Sequence, residues 1–545
     1  MSDQKRILAF LGLLVVFMVA YHFFGYFGHY GYDDIWYGRL GKRMADGLFT
    51  LNSDHYTYRW GLIVPLALSY KLFGVNDHAS ALPAFFITIG TLLLLWRLTR
   101  YQKLPVVLLT LSMFLLYSWS IFYSDKLMPD VLVAFGFTAS LWALFEYRFS
   151  NSSTAGLKQA GTWAFLLALS LFFAFVSKAT IFLCTPVFLY FFISDILQKR
   201  HYAFWTMVAG SVLLLGGAYL LFINLQTGSP WYRFEAIRLN SYFNECSYDQ
   251  LPLSATLRRI GYQYFLIFTR FGLMITLALG ILGSWGYTPR SLWKLDSRDA
   301  FLQAAFLMTL LSANFMTISY EAYVPICPDP RQCLFLTPIS AVAAAPVAYR
   351  FLKDRKWRWA IFMLVLFFAV LAFINRYENR YFTYVPMLLL CFTRLILPVQ
   401  IAPKWFMGLV VAFMVILWLH PIESMMYAQK TGYVEQRQLI YDRFQDGQKK
   451  RLVVANTVQR NFGQYLMAFD STATQFVAYD ELDRYDPAAY DEVYVLTNAY
   501  ARILCGLEWE DWPPYIKKLP DSMKRVYQEK GVDLFRVEDV RVLKE

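Results

Sequence analysis

The stretch "RWGLIVPLALSYKLFG", residues 59–74, is apolar enough to enter a bilayer, yet Arg59 opens it, Lys71 lies near its end and Pro65 interrupts it. A membrane-spanning helix needs about 20 mainly apolar residues, and this segment is shorter. Whether it crosses decides the sidedness of everything that follows it.

Apolar runs recur outward from this segment in both directions. The chain has 545 residues, of which 57% are hydrophobic, 19% aromatic and only 17% charged, against about 25% charged in soluble domains. Mean hydropathy is +0.38. This composition excludes a large soluble core and predicts a polytopic membrane protein. Spans are expected near 7–27, 79–98, 105–123, 130–147, 160–177, 180–197, 203–223, 262–284, 300–320, 334–349, 357–375, 382–398 and 405–420. The net charge of +12 does not point to nucleic acid, because Lys and Arg fall mostly in short loops between apolar runs, where they fix topology. Six cysteines with no CxxC and no Cys/His cluster argue against a structural metal site. Lys5 and Arg6 precede an apolar stretch that ends in aromatics with no small-residue cleavage site. This predicts an uncleaved first helix with a cytoplasmic N-terminus.

The positive-inside bias settles residues 59–74. If they do not span, Arg97, Arg100 and Lys103 fall on the cytoplasmic side. So do Arg148 and Lys158, Lys199 and Arg200, Arg290 with Lys294 and Arg298, and the dense "RFLKDRKWR" at 350–358. If they span, all of these flip. The expectation is therefore an outward juxtamembrane helix at 59–74 and about 13 spans, with the C-terminus outside.

Residues 1–420 then form the membrane domain, with a first outward loop at 28–78. Residues 421–545 lose the apolar runs and read as a small extracytoplasmic α/β domain. "RLVVAN" and "DEVYVLTN" read as buried strands around the helical "VQRNFGQYLMAF", and "RVYQEKGVDLFRVED" as a closing hairpin turning at Gly531. Cys327 and Cys333, in "PICPDPRQC", share one outward loop. They are either a small-loop disulfide in an oxidising compartment or two unpaired thiols.

Polar residues that need explaining gather on the outward side. Asp33 and Asp34 open the first loop, in "HYGYDDIWYG". His55, Tyr56, Tyr58 and Arg59 follow, then Asp125, Lys126 and Asp130 in "YSDKLMPDVLVAFG", Lys178 in "FVSKATIF", Arg331, and Arg376, Glu378 and Arg380. Asp34 and Asp130 could each simply cap a helix N-terminus. Two adjacent carboxylates repel, however, and a carboxylate at a membrane is costly unless hydrated or paired. Lys178, Arg59 and Arg380 could snorkel to the interface. Taken together they oppose the charge bias of the rest of the chain and make a mixed-charge outer cavity. Basic groups there suit a lipid-linked phosphate. Carboxylates suit a general base or a divalent metal such as Mg or Mn.

An Asp pair after the first span, a juxtamembrane segment ending in "LFG", an Asp opening the fourth span in "LMPDVLVAF", a Lys closing the fifth in "VSKATIF", and "RQCLFLTPISAVAAA" together resemble membrane glycosyltransferases of the C-type fold, GT-C. Within these the pattern is similar to the protein O-mannosyltransferase and lipid A aminoarabinose transferase group, and the resemblance extends from residue 7 to about 420. The resemblance implies a multi-pass protein of the bacterial inner membrane. It would move a single hexosyl or pentosyl unit from a polyprenyl-phosphate donor to a hydroxyl of a glycan, lipid or protein acceptor, with inversion, in cell-envelope glycan synthesis or protein glycosylation. Asp34 is then expected as general base. Asp33 would orient it or hold a metal, and Asp130 would position acceptor or metal. Arg59, Lys178 and Arg331, with His55 beside them, would bind the donor and meet the charge on the leaving phosphate. A transporter or flippase for a lipid-linked sugar is the alternative class. Adjacent residues point in different directions, so the sequence leaves open which Asp faces the cavity.

Overall fold

The computed structural model of the protein describes residues 2–26, 28–149, 157–239, 247–248, 251–318, 323–327, 329–354, 357–398, 400–428, 431–498, 513–517 and 520–543. Among these, eight helices are long and apolar enough to cross a membrane: Asp3–Gly25, Asp77–Thr99, Asp130–Phe149, Leu157–Ser177, Ala179–Leu197, Tyr202–Thr227, Pro330–Asp354 and Pro403–Tyr427. Four shorter apolar helices accompany them: Trp60–Phe73, Leu104–Leu115, Met274–Ser284 and Arg358–Ile374.

The expected spans at 105–123 and 262–284 are each broken. Leu104–Leu115 stops before a short helix, Ser118–Tyr123. Tyr264–Phe271 ends at Gly272, whose φ of 78° turns the chain before Met274–Ser284. Glycine takes that conformation without steric cost. The last long helix runs to Ala428, past the expected end near 420.

The deciding segment forms the helix Trp60–Phe73, 14 residues long. At 1.5 Å per residue it reaches about 21 Å, short of the ~30 Å hydrocarbon core. Gly74, at φ 73°, stops it. Leu62, Ile63, Leu66 and Tyr70 are buried, while Val64, Leu68 and Leu72, each four apart, are exposed. The helix thus has one face on the protein and one apolar face turned outward.

Contacts gather the basic loops at one end. Tyr101 and Gln102 donate to Asp299 at 2.8 and 2.6 Å. Arg298 donates to the Phe149 carbonyl at 3.0 Å. Arg148 and Arg200 both pair with Asp195, and Arg200 also with Asp296 at 3.1 Å. Arg394, buried, caps the carbonyls of Leu352 and Lys353 at 2.6 and 2.9 Å. The segments that the charge bias assigns to one side therefore do meet on one side.

The helices Asp130–Phe149 and Leu157–Ser177 pack closely at Gly136. A Cβ there would lie 2.8 Å from the Ser170 carbonyl oxygen and from the Ala174 Cβ. Small residues permit this approach, and it sets the start of one helix beside the end of the other. Elsewhere apolar side chains stay outside. Leu213, Leu225 and Ile374 are more than two-thirds exposed, as lipid-facing residues should be.

The C-terminal segment forms a five-stranded sheet in the order β2-β1-β3-β5-β4: Arg451–Ala455 (β1), Thr474–Ala478 (β2), Glu492–Asn498 (β3), Met523–Glu529 (β4) and Val532–Val537 (β5). β1 runs parallel to β2 and β3, and β5 antiparallel to β3 and β4. Alternate residues of β1 feed two cores. Val453 and Ala455 meet the helices Tyr433–Phe444 and Thr457–Leu466, while Leu452 and Val454 face Val477, Val495 and Phe535. The hairpin turns at Lys530 and Gly531, both at positive φ. β2 escapes the sequence reading because "TQFVA" is short and follows polar residues.

The two cysteines of the outward loop do not pair with each other. Cys333 is a free thiol buried in the turn Pro330–Leu336. Cys327 is in a disulfide whose partner lies outside the described residues. Cys333 packs in the helical core.

Gly136→Val is expected to force these two helices apart and cost about 1–3 kcal/mol. Thermal unfolding in detergent checks it, and an unchanged melting temperature would show that the contact is not tight.

Candidate active site

The end opposite the basic loops holds the polar residues singled out above. The loop before the helix Asp33–Ala45 turns through Gly28 and Gly31, at φ 90° and 85°. In that helix Asp34 shares the face of Tyr37, Gly38 and Gly41, spaced i, i+3, i+4 and i+7, all buried. The Leu66 side chain lies against Gly41, leaving only 2.7 Å for a Cβ there. Asp34 is therefore drawn inside, at 0% exposure. Its carboxylate accepts backbone N–H groups from Tyr30, from Gly31 at 3.0 Å, from Tyr32 at 3.1 Å and from Ile35 at 2.9 Å. His29 Nδ1 lies 3.5 Å away. A carboxylate held this way is satisfied without water and has no lone pair turned to a substrate. The residue expected as general base is thus enclosed and is not among the residues that line the cavity described next.

Asp33, one residue and about 100° round the helix, points the other way. It accepts from the Tyr56 hydroxyl at 2.8 Å and from Arg331 Nη1 at 3.2 Å. It lines a cavity of about 470 Å³ with Tyr30, Tyr32, Trp119, Tyr123, Met128, Asp329, Pro330 and Arg331. Burial pushes its carboxyl up, but Arg331, the Tyr56 hydroxyl, Arg59 and Lys178 outweigh this and leave it below the usual carboxylate range.

The turn His55–Tyr58 is capped by Asp54, which accepts from Tyr56 N at 2.9 Å and from Trp36 Nε1 at 2.5 Å. This presents Tyr56 to Asp33. The Arg59 guanidinium lies over Tyr56, 4.5 Å from its centroid, and 5.4 Å from that of Tyr37. The His55 ring packs on Tyr56 at 4.2 Å. Burial holds His55 below its ordinary imidazole value against the pull of Asp54 and Asp33, so it is neutral at pH 7.

The approach at Gly136 has its consequence here. Asp130, at the start of its helix, meets Lys178, just past the end of the neighbouring one, at 2.7 Å. The second Asp130 oxygen, Oδ2, is buried with no hydrogen-bond partner. Arg331 follows Asp329, which caps its turn and pairs with its Nε at 2.8 Å. Asp33, Asp130, His55, Arg59, Lys178 and Arg331 are thus neighbours, while Asp34 lies behind them.

Asp125 and Lys126 form a separate buried pair at 2.7 Å, with His22 and His78 beyond Asp125. Arg380 caps the Tyr377 carbonyl at 2.8 Å and stacks on Tyr381, apart from the site. Sequence reasoning missed Asp329, Tyr30, Trp119 and Tyr123. They come from distant segments, and only the "PDPR" context of Asp329 carried a signal, as a cap. At the other end of the bundle, a cleft of about 30 Å³ between Gln102, Asp299 and Arg350 has room for little more than water.

Asp33 and Asp130 were also expected to hold a divalent metal. Among the described residues no three His, Cys, Asp or Glu side chains converge as a metal-binding group. Each of the two carboxylates already faces a cation, Arg331 or Lys178. Both carboxylates are thus engaged by cations in this structure.

No protein family profile and no curated protein matches the sequence. Solved structures do. ArnT, the lipid A aminoarabinose transferase, from Cupriavidus metallidurans in the apo state superposes with a TM-score of 0.58 at 13% identity, over 99% of each chain. The same protein bound to undecaprenyl phosphate gives 0.57 at 12% identity, over 97% of this chain and 98% of that one. An Archaeoglobus fulgidus oligosaccharyltransferase gives 0.47 at 11% identity, over 90% of this chain and 69% of that one. The chain has the GT-C fold.

Because Arg331 is the largest favourable influence on the Asp33 carboxylate, Arg331→Gln is expected to raise the pKa of Asp33. Difference infrared spectroscopy of the carboxyl band, with Asp33→Asn to assign it, should show protonation moving to higher pH. A midpoint that stays put would break the link between the two residues.

Proposed function

We propose that this protein is a membrane glycosyltransferase that moves a single sugar from a polyprenyl phosphate to an acceptor hydroxyl, with Asp33 as general base. The observation that carries this is the Asp33 carboxylate, held at the wall of a 470 Å³ cavity with Arg331 at 3.2 Å. A base and a phosphate-binding cation share one opening. The undecaprenyl phosphate bound by ArnT of the same fold supports the donor class.

The acceptor hydroxyl enters the cavity beside Asp33, which takes its proton as the oxygen attacks the anomeric carbon. A bond forms from acceptor oxygen to that carbon as the bond from the carbon to the phosphate oxygen breaks. The phosphate leaves with the electron pair, and its growing charge is met by Arg331, Lys178 and Arg59. A single displacement inverts the anomeric centre. Asp130, with its unpartnered Oδ2, accepts a hydroxyl from the sugar or the acceptor and keeps Lys178 placed. Asp34 serves as a positioning residue through the turn it organises. The aromatic walls, Tyr30, Tyr32, Trp119 and Tyr123, suit sugar rings.

The basic loops at the other end of the helices support an outward-facing cavity in a bacterial inner membrane. The membrane domain would then comprise residues 1–420 with the helix continuing to Ala428, and the rest would form an extracytoplasmic domain.

Purified protein incubated with a panel of polyprenyl-phosphate sugars is expected to release lipid phosphate with at least one of them. Asp33→Asn should lower the rate by about 10²–10⁴-fold while binding undecaprenyl phosphate and melting as wild type does. Wild-type turnover by Asp33→Asn would remove the base. Movement of a lipid-linked sugar across vesicles without phosphate release would replace the enzyme with a flippase.

A further inference from the structure

We infer that the C-terminal domain is a working part of the active site, and that Tyr433, Arg437 and Asn461 are positioning residues for Asp33. This rests on the assignment of Asp33 as base.

The loop from Gly28 to Tyr32 is pressed between Asp34 and the C-terminal domain. A Cβ on Gly28 would lie 2.3 Å from the Tyr433 ring, and one on Gly31 would lie 2.7 Å from Val458. Asn461 Nδ2 donates to the Gly31 carbonyl, while the Gly31 N–H donates to Asp34 at 3.0 Å. One residue is thus gripped from both sides, two positions before Asp33.

A second line of contacts runs through Asp77, at 3% exposure. It accepts from the Tyr433 hydroxyl at 2.8 Å and from Arg437 at 2.7 Å. His29, in the loop, lies between the two carboxylates: Nε2 shares a hydrogen bond with the Tyr26 hydroxyl at 3.2 Å and is 3.8 Å from Asp77, while Nδ1 is 3.5 Å from Asp34. The ring also meets Tyr465 edge-on at 4.4 Å. Arg39, on the helix that carries Asp33, donates to Gln464 at 2.5 Å.

In a low-dielectric interior such hydrogen bonds are strong, and an unpaired buried polar group is costly. Taking one partner from a buried carboxylate leaves an uncompensated charge, and the loop relaxes to hydrate it. Displacing a catalytic group by about 1 Å costs about 10²-fold in rate. The cations assigned to the donor phosphate, Arg331, Lys178 and Arg59, lie outside this loop, so ground-state binding of the lipid phosphate is spared.

The test uses the full chain with Asn461→Ala, Arg437→Met and Arg437→Lys, in liposomes. Readouts are turnover with the panel donor used fastest, affinity for undecaprenyl phosphate, and the mobility of a spin label on Tyr32→Cys, a half-exposed position. Asn461→Ala and Arg437→Met are expected to lose about 10- to 100-fold in turnover, to bind undecaprenyl phosphate within about twofold of wild type, and to mobilise the label. Arg437→Lys, which keeps the charge on Asp77, should recover most of the rate. Folded Asn461→Ala and Arg437→Met proteins with an immobile label and full turnover would overturn the inference, as would a loss confined to affinity. Asp33→Asn is run in parallel. If it stays active, the base assignment fails and the label alone decides whether the clamp exists.

Discussion

The structure depends on satisfying one carboxylate that has no access to water. Asp34 is fully buried, and a charge in that position is tolerable only if hydrogen bonds replace its hydration. The N–H groups of residues 30–32 supply them, which forces the preceding chain into a tight turn. Gly28 and Gly31 provide the positive φ angles the turn requires. With Asp34 turned inward, helical geometry turns Asp33 to the cavity. The cavity-facing position of Asp33 is thus a by-product of where its neighbour is buried.

The same economy appears at the second carboxylate. Asp130 and Lys178 are 48 residues apart in sequence, and neither is near the other until two antiparallel helices close at Gly136. The closeness of that contact sets the ion pair, and with it one wall of the site. Arg331 arrives from a third segment and is shared between Asp33 and Asp329. Cations and carboxylates alternate, Asp33 and Asp329 on Arg331 and Asp130 on Lys178, which lowers the cost of holding these charges where the dielectric is low.

Much of this could be read from residues alone, for identifiable reasons. The charge bias of the loops separated a basic end from the end with the carboxylates because bilayer energetics acts on local composition. The segment at 59–74 betrayed itself by length, and it is a 14-residue helix. Lys178, Arg59 and Arg380 stood out as cations that opposed the bias, and Asp130 as a carboxylate opening a helix. The choice between Asp33 and Asp34 was available in principle from the spacing Asp34, Tyr37, Gly38 and Gly41, which marks a buried face. Cys327 and Cys333 misled because proximity in sequence says nothing about which way a thiol faces. The breaks at 116–117 and 272–273 were invisible because apolar residues continue through them.

Composition and charge order by themselves determined that the chain crosses a membrane, which residues gather at each end of its helices, and that a small α/β unit closes it. These are sums over many residues, and errors at single positions average out. Only the tertiary structure decided which carboxylate meets the cavity, which cations join it, and that the C-terminal unit grips the loop through Asn461, Tyr433 and Arg437. Those outcomes turn on angles of about 100° and on contacts between segments hundreds of residues apart, which no local pattern records.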